Sequence, residues 1–244
     1  MKNIIIKNDA IDIAFHGSKI IFEQLRKKKN SVLCLATGSS VIRLYYNIYK
    51  NFKKKKISFK NVSTFNLDEY LGLSKDHSLS YRYFMQRHFF NHIDILNKNI
   101  NFLDGKSLNP KLECENYEKK IERKGGIDLT ILGIGVNGHI AFCEPGSKKN
   151  SLTHITKLSK KTIEQNSDGR FFRNKKDVPK KALTMGIATI LSSKKIVVIA
   201  NGKRKAKAIK KSLKGKITPM IPASYLQSHN NIIWLLDKEA ASEL

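Results

Sequence analysis

The stretch IDLTILGIGVNGHIAFCEPGS, Ile127 to Ser147, decides how the rest of the chain is read. It begins as an apolar run with Asp128 and Thr130 set into it. It then breaks into Gly133, Gly135 and Gly138 and carries Asn137, His139 and Glu144 close together. A buried strand that ends in a glycine-rich turn puts its last residues at the carboxyl edge of a sheet, and in open α/β sheets that edge is where ligands bind. Glycines let the backbone bend sharply and let a ligand come close. A carboxylate five residues after a histidine can form a dyad that fixes the ring and raises its basicity. The competing reading is structural: a strand-turn in which His139 only caps a neighbouring backbone group.

Upstream, Ala10 to Lys29 has apolar residues at helical spacing and a basic end, which predicts a helix. Ser31 to Ala36 is a short apolar strand that runs into Thr37-Gly38-Ser39-Ser40, and a helical pattern resumes through Val41 to Tyr49. Strand, small polar loop and helix is the layout of an anion site, because loop amides, hydroxyls and the helix N-terminus all point at the ligand. A plain helix N-cap at Ser40 is the alternative. Ser58 to Phe65 alternates as a strand and ends in Asn66-Leu67-Asp68-Glu69-Tyr70. If the sheet is parallel, these two acids share an edge with the first loop; one is a candidate general base, and a turn with a solvated acid is the alternative. His77 to His92 reads as an aromatic-rich helix whose rings serve the core. Leu112 to Lys124 reads as an amphipathic helix closed by Gly125-Gly126.

Downstream, Lys148 to Lys176 is a long polar connection, the kind that forms a lid or binding loop. Ala182 to Leu191 reads as helical or mixed. Lys195 to Ala200 is a buried strand, followed by Asn201-Gly202 and a basic helix from Lys203 to Leu213. A short helix near Ala223 to Gln227 and a strand from Asn231 to Leu236 complete the chain. Strands alternate with helices throughout. The expectation is an α/β fold: an open, mainly parallel sheet with helices on both faces, Rossmann-like and doubly wound. With no internal repeat and no dividing linker, 1–244 reads as a single domain with a mobile lid near 150–178.

The 244 residues carry 46 Lys and Arg against 20 Asp and Glu, a net charge of +26. That favours anionic partners: nucleic acid, anionic surfaces or phosphorylated small molecules. The lysines are scattered, however, and Lys, Asn and Ile are abundant together, as an AT-rich genome would encode. Composition therefore outweighs a nucleic-acid function. Cys34, Cys114 and Cys143 form no paired framework and have no metal-like spacing, which suits a reducing cytoplasm. No apolar stretch approaches the roughly 20 residues of a membrane span.

Taken in order, Thr37-Gly38-Ser39-Ser40, FNLDEYLGL at Phe65 to Leu73, LGIGVNGHIAFCEPGS at Leu132 to Ser147, RFF at Arg170 to Phe172, VPKKALTMGI at Val178 to Ile187 and GKRKA at Gly202 to Ala206 resemble the glucosamine-6-phosphate deaminase family. The resemblance implies conversion of glucosamine 6-phosphate and water to fructose 6-phosphate and ammonium, with no cofactor and no metal. It implies that His139 assists opening of the sugar ring, with Glu144 and Asn137 orienting and polarising the imidazole. Asp68 would carry the C2 proton to C1. Thr37, Gly38, Ser39 and Ser40 with Arg170 and Lys205 would hold the phosphate, a task that suits amides and a forked guanidinium.

The chain departs from the family pattern in places. Asn137 stands where some members have Asp, Cys143 where Asn is usual, and Val41 where a proline follows the phosphate loop. An SRTR-like run is absent from Lys148 to His154 and the chain stops soon after Trp234, which implies no activation by N-acetylglucosamine 6-phosphate. Three rivals remain. A 6-phosphogluconolactonase would share the fold, but IAFCEP and DEY replace that enzyme's expected runs. A non-catalytic sugar-phosphate sensor would usually bring a DNA-binding domain. A nucleic-acid binder is supported by charge alone. The expected partner is a small sugar phosphate, with no nucleic acid and no membrane, and the sequence leaves the oligomeric state open.

Overall fold

The computed structural model describes residues 3–54, 57–167, 172 and 174–244. The first half runs β1 (Asn3–Lys7), α1 (Ala10–Lys27), β2 (Val32–Leu35), α2 (Ser39–Lys53), β3 (Ser63–Asn66), β4 (Asp68–Tyr70), α3 (Tyr81–His88), β5 (Ile100–Asn101) and α4 (Pro110–Arg123). The second half runs β6 (Leu129–Leu132), β7 (His154–Lys157), α5 (Lys160–Asn166), β8 (Lys181–Thr184), α6 (Ile187–Leu191), β9 (Ile196–Ala200), α7 (Ala206–Lys214) and β10 (Ile232–Asp237). Short 3-10 turns include Lys203–Lys205 and Pro222–Ser228.

Seven strands form one parallel sheet in the order β1-β10-β9-β6-β2-β3-β5. Every residue of β2, β6, β9 and β10 is buried. Strands buried along their whole length need cover on both faces, which is what the helices of an α/β fold provide. α1 and α2 pack together over β9 and β10. The N-terminus of α1 is fixed by Asp9, whose carboxylate accepts from the amides of Ile11 and Asp12 at 2.7 and 2.9 Å.

The strand order places the reversal of direction between β2 and β6. From β2 the chain builds outward through β3 and β5; from β6 it builds the other way through β9, β10 and back to β1. A crevice opens at such a switch point, outside the carboxyl ends of the strands.

Several sequence expectations are corrected. The DEY segment is not a turn beyond a strand: Asp68–Tyr70 is β4, which pairs antiparallel with β8, and β8 pairs antiparallel with β7. This three-stranded sheet has its own small core of Tyr70, Phe142, Leu158, Phe172, Val178 and Ala182. The polar stretch after Lys148 is therefore built structure in part, carrying β7 and α5. Ala182 to Leu191 is mixed, one of the two readings the sequence allowed: it divides into strand and helix at Met185-Gly186, where the Met185 amide turns away to the Leu67 carbonyl at 2.7 Å. The strand expected from Ser58 begins only at Ser63. Lys60-Asn61 turn instead, with the Val62 amide donating to the Phe59 carbonyl. The aromatic helix starts at Tyr81, where Ser80 accepts from the Tyr83 amide and ends the preceding chain. Among the described residues no helix is long and apolar enough to cross a membrane.

Candidate active site

The carboxyl ends of β2, β3, β6 and β9 surround a cavity of about 850 Å³. Thr37, Gly38, Ser39, Ser40, Asp68, His139 and Lys205 all line it, so four separate chain segments meet there. Asn137 and Glu144 stand behind His139 rather than on the wall. Arg170 lies outside the described residues.

The β2 loop leaves the sheet through Gly38 at φ +110°, a conformation costly for any residue with a Cβ. This glycine is also the N-cap of α2, and no side chain caps the helix there. Ser40 is therefore not the cap; it lies inside the first turn. The uncapped amides, with the hydroxyls of Thr37, Ser39 and Ser40 beside them, make a site suited to an anion. Across the cavity, the turn after β9 contributes Lys203, Arg204 and Lys205. Lys205 Nζ donates to the Ile134 carbonyl at 2.7 Å, which ties the cationic turn to the glycine-rich turn after β6.

That second turn shapes the histidine. A Cβ on Gly135 would fall 2.3–2.5 Å from three atoms of the His139 ring, so only glycine lets the imidazole lie against the backbone. Asn137 links the His139 backbone to Glu144. Its Oδ1 accepts from the His139 amide at 3.2 Å and its Nδ2 donates to Glu144 Oε2 at 3.0 Å. Glu144 Oε2 lies 3.8 Å from His139 Nδ1, an ion-pair distance and not a hydrogen bond. Nδ1 is buried and has no hydrogen-bond partner among the described residues. Nε2 is thus the nitrogen left for a ligand. Burial pushes the imidazole pKa down to about 4; Glu144 opposes the shift and Lys205 adds to it. The ring is neutral at pH 7 and able to pass a proton between two oxygens.

The two adjacent acids separate because successive strand residues face opposite ways. Asp68 lines the cavity. Glu69 turns the other way and accepts from the amides of Tyr70, Tyr81 and Arg82, each at 2.9 Å, at the start of α3. Glu69 is a buried structural acid, not the solvated one envisaged, with its pKa raised to about 7 by burial against those hydrogen bonds. Burial, and then the neighbouring Glu69, hold the Asp68 pKa well above the ordinary carboxylate range. A carboxylate that binds its proton more tightly is a stronger base once ionised.

The cavity also takes in Tyr81, Thr162, Asn166, Asn201 and Glu239, none of which the sequence reading placed in the site. Tyr81 stacks on Phe142 at 5.8 Å and 14°. Its assignment to the core was half right: the ring packs in the small second core and faces the cavity as well. A helix start at Ser80-Tyr81 was the available signal. Of the two departures beside the site, Cys143 is buried and its thiol donates to the Met185 carbonyl at 3.2 Å. Val41 is buried in the first turn of α2.

Residues 11–234 match the family described as glucosamine-6-phosphate isomerases/6-phosphogluconolactonase. The chain is 51% identical to a glucosamine-6-phosphate deaminase of Clostridium novyi (strain NT), over 97% of each chain. It is also similar to a solved structure of a monomeric glucosamine-6-phosphate deaminase, at 39% identity with a TM-score of 0.96 and full coverage of both chains. A 6-phosphogluconolactonase structure from Trypanosoma brucei shares the fold, at 19% identity and a TM-score of 0.81, covering 100% of this chain and 99% of that one.

Proposed function

Because this chain belongs to the glucosamine-6-phosphate isomerase/6-phosphogluconolactonase family, we propose that it is an isomerising deaminase that converts glucosamine 6-phosphate and water to fructose 6-phosphate and ammonium. In reaction terms it is a hydrolase acting on a carbon–nitrogen bond, and its site is that of a metabolic enzyme of the cytoplasm. The observation that supports the reading is that Asp68, His139 and Lys205 line one cavity together with the uncapped N-terminus of α2.

The geometry supports the following steps. The phosphate sits against Thr37, Gly38, Ser39 and Ser40 with Lys205 as a cation; Arg170 is a second cation only as the family resemblance implies. A charged anchor at one end fixes the reacting carbons at the other and removes the entropy cost of finding Asp68. His139 takes the proton from the O1 hydroxyl and gives it to the ring oxygen O5, which opens the ring. Glu144 and Asn137 hold the imidazole for this exchange. Asp68 then removes the proton from C2 and returns it to C1 through an enolamine. Water adds at C2 of the resulting imine and ammonia leaves, so that the ketone of fructose 6-phosphate remains. The segment at 150–178 is read as the cover of the cavity, since α5 supplies Thr162 and Asn166 to the wall.

Ammonium and fructose 6-phosphate measured together from glucosamine 6-phosphate, beside hydrolysis of 6-phosphogluconolactone, test the assignment. The expected result is stoichiometric release of both products with no lactone hydrolysis above background. Lactone turnover without ammonium would transfer the chain to the other branch of the family.

A further inference from the structure

Glu144 has a different partner on each of its oxygens. Oε2 accepts from Asn137 and faces His139. Oε1 accepts from the Thr162 hydroxyl and, at 3.3 Å, from the Ser159 amide. The donors on Oε1 belong to α5 and its cap, 15 and 18 residues beyond Glu144 in the chain. A carboxylate rotates about its last bond unless both oxygens are held, and the oxygen turned to the imidazole depends on what holds the other one.

Thr162 is suited to that role. It is only 2% exposed, so its rotamer is set by packing. The Ser159 hydroxyl donates to Thr162 Oγ1 at 3.1 Å and accepts from the Thr162 amide at the same distance. With its lone pair taken by Ser159, the threonine hydroxyl directs its own proton to Glu144. Thr162 also lines the cavity, so the relay lies at the substrate's edge.

We propose that Thr162 is a positioning residue for ring opening: its hydroxyl sets the rotation of Glu144 and through it the orientation of His139. The proposal rests on the deaminase reading. Thr162→Val keeps the side chain's shape and removes the donor. Its kcat for ammonium release falls about tenfold, the scale of one hydrogen bond to a charged group, with KM within about twofold. Thr162→Ser restores the rate. In a Glu144→Gln background, Thr162→Val costs nothing further, because the interaction it served is already gone. An equal fall in both backgrounds, or a loss that serine does not rescue, would overturn the proposal.

The imidazole ¹⁵N resonances of His139 in the substrate-free protein give a second readout. They move in Thr162→Val and in Glu144→Gln and hold in Thr162→Ser. If wild type released no ammonium, the deaminase reading would fall and these resonances would still decide the role of Thr162. Unmoved resonances in Thr162→Val would end it whatever the reaction.

Discussion

Asp68 and Asp128 sit at opposite ends of the same sheet, and both are almost fully buried, at 7% and 4% exposure. Asp128 precedes β6 at the amino edge. Its Oδ2 accepts from Lys28 at 2.7 Å and from the Val32 amide at 2.8 Å, and its Oδ1 accepts from Lys194 at 2.8 Å. Burial alone would raise its pKa, but the hydrogen bonds from Lys194, Lys28 and Val32 bring it below the ordinary value. Asp68 follows β3 at the carboxyl edge, and among the described residues it takes part in no ion pair. With burial unopposed and Glu69 beside it, its pKa moves the other way. Similar exposure thus goes with opposite chemistry: the amino edge neutralises its acid to hold strands together, and the carboxyl edge leaves its acid basic and open to a ligand.

The contrast is open to test by substitution at each end. The largest effect is expected from Asp68→Asn. Ammonium release falls by about 10²–10⁴-fold, the usual contribution of a positioned acid–base group, while the melting temperature does not drop. A variant that loses stability along with activity would place Asp68 among the structural acids. Lys205→Met comes next. Loss of a charge-assisted contact to phosphate raises KM by about 10–100-fold, with a smaller change in kcat. An unchanged KM in steady-state assays would remove the lysine from the phosphate site. Asp128→Ala inverts the pattern: kcat and KM stay within about twofold, and urea unfolding shows a loss of about 2 kcal/mol from the broken charged hydrogen bonds. Altered kinetics there would erase the distinction between the edges.

The last test concerns pH. The folded His139 binds its proton only near pH 4, against an ordinary value of 6.5, so the unfolded chain takes up the proton first as pH falls. Stability linked to this group is complete above pH 6.5 and is lost as pH falls through 6.5 towards 4. The stability difference between wild type and His139→Gln should shrink over that window. A difference that stays constant from pH 7 to pH 4 would mean that the ring is not held neutral.

The main sheet was legible because its strands are nearly continuous apolar runs. Val32–Leu35, Ile196–Ala200 and Ile232–Asp237 lie within a residue or two of where the sequence puts them. The glycine-rich turn after β6 was legible for a local reason, since the backbone bends where the glycines stand. The second sheet was not. β4 is three residues long and contains two acids, so neither periodicity nor propensity marks it. Only its antiparallel pairing with β8, more than a hundred residues away, makes it a strand. The same long-range pairing hid the roles of the neighbouring acids. Asp68 and Glu69 look alike in sequence until strand alternation sends one to the cavity and the other to the start of α3. β1 was missed because Ile4 to Ile6 is a short apolar run whose one partner strand among the described residues is β10. The partners of Glu144 could not be read either, since Ser159 and Thr162 reach it only after the chain has passed through β7.

The basicity and openness of Asp68 are tested most directly with glucosamine 6-phosphate carrying deuterium at C2. Wild type should deliver part of the label to C1 of fructose 6-phosphate, the remainder exchanging with water on the carboxyl group. Asp68→Asn should leave the label at C2 in unconsumed substrate while still binding the sugar phosphate. Transfer of deuterium to C1 at the wild-type rate in Asp68→Asn would contradict the assignment of the proton carrier.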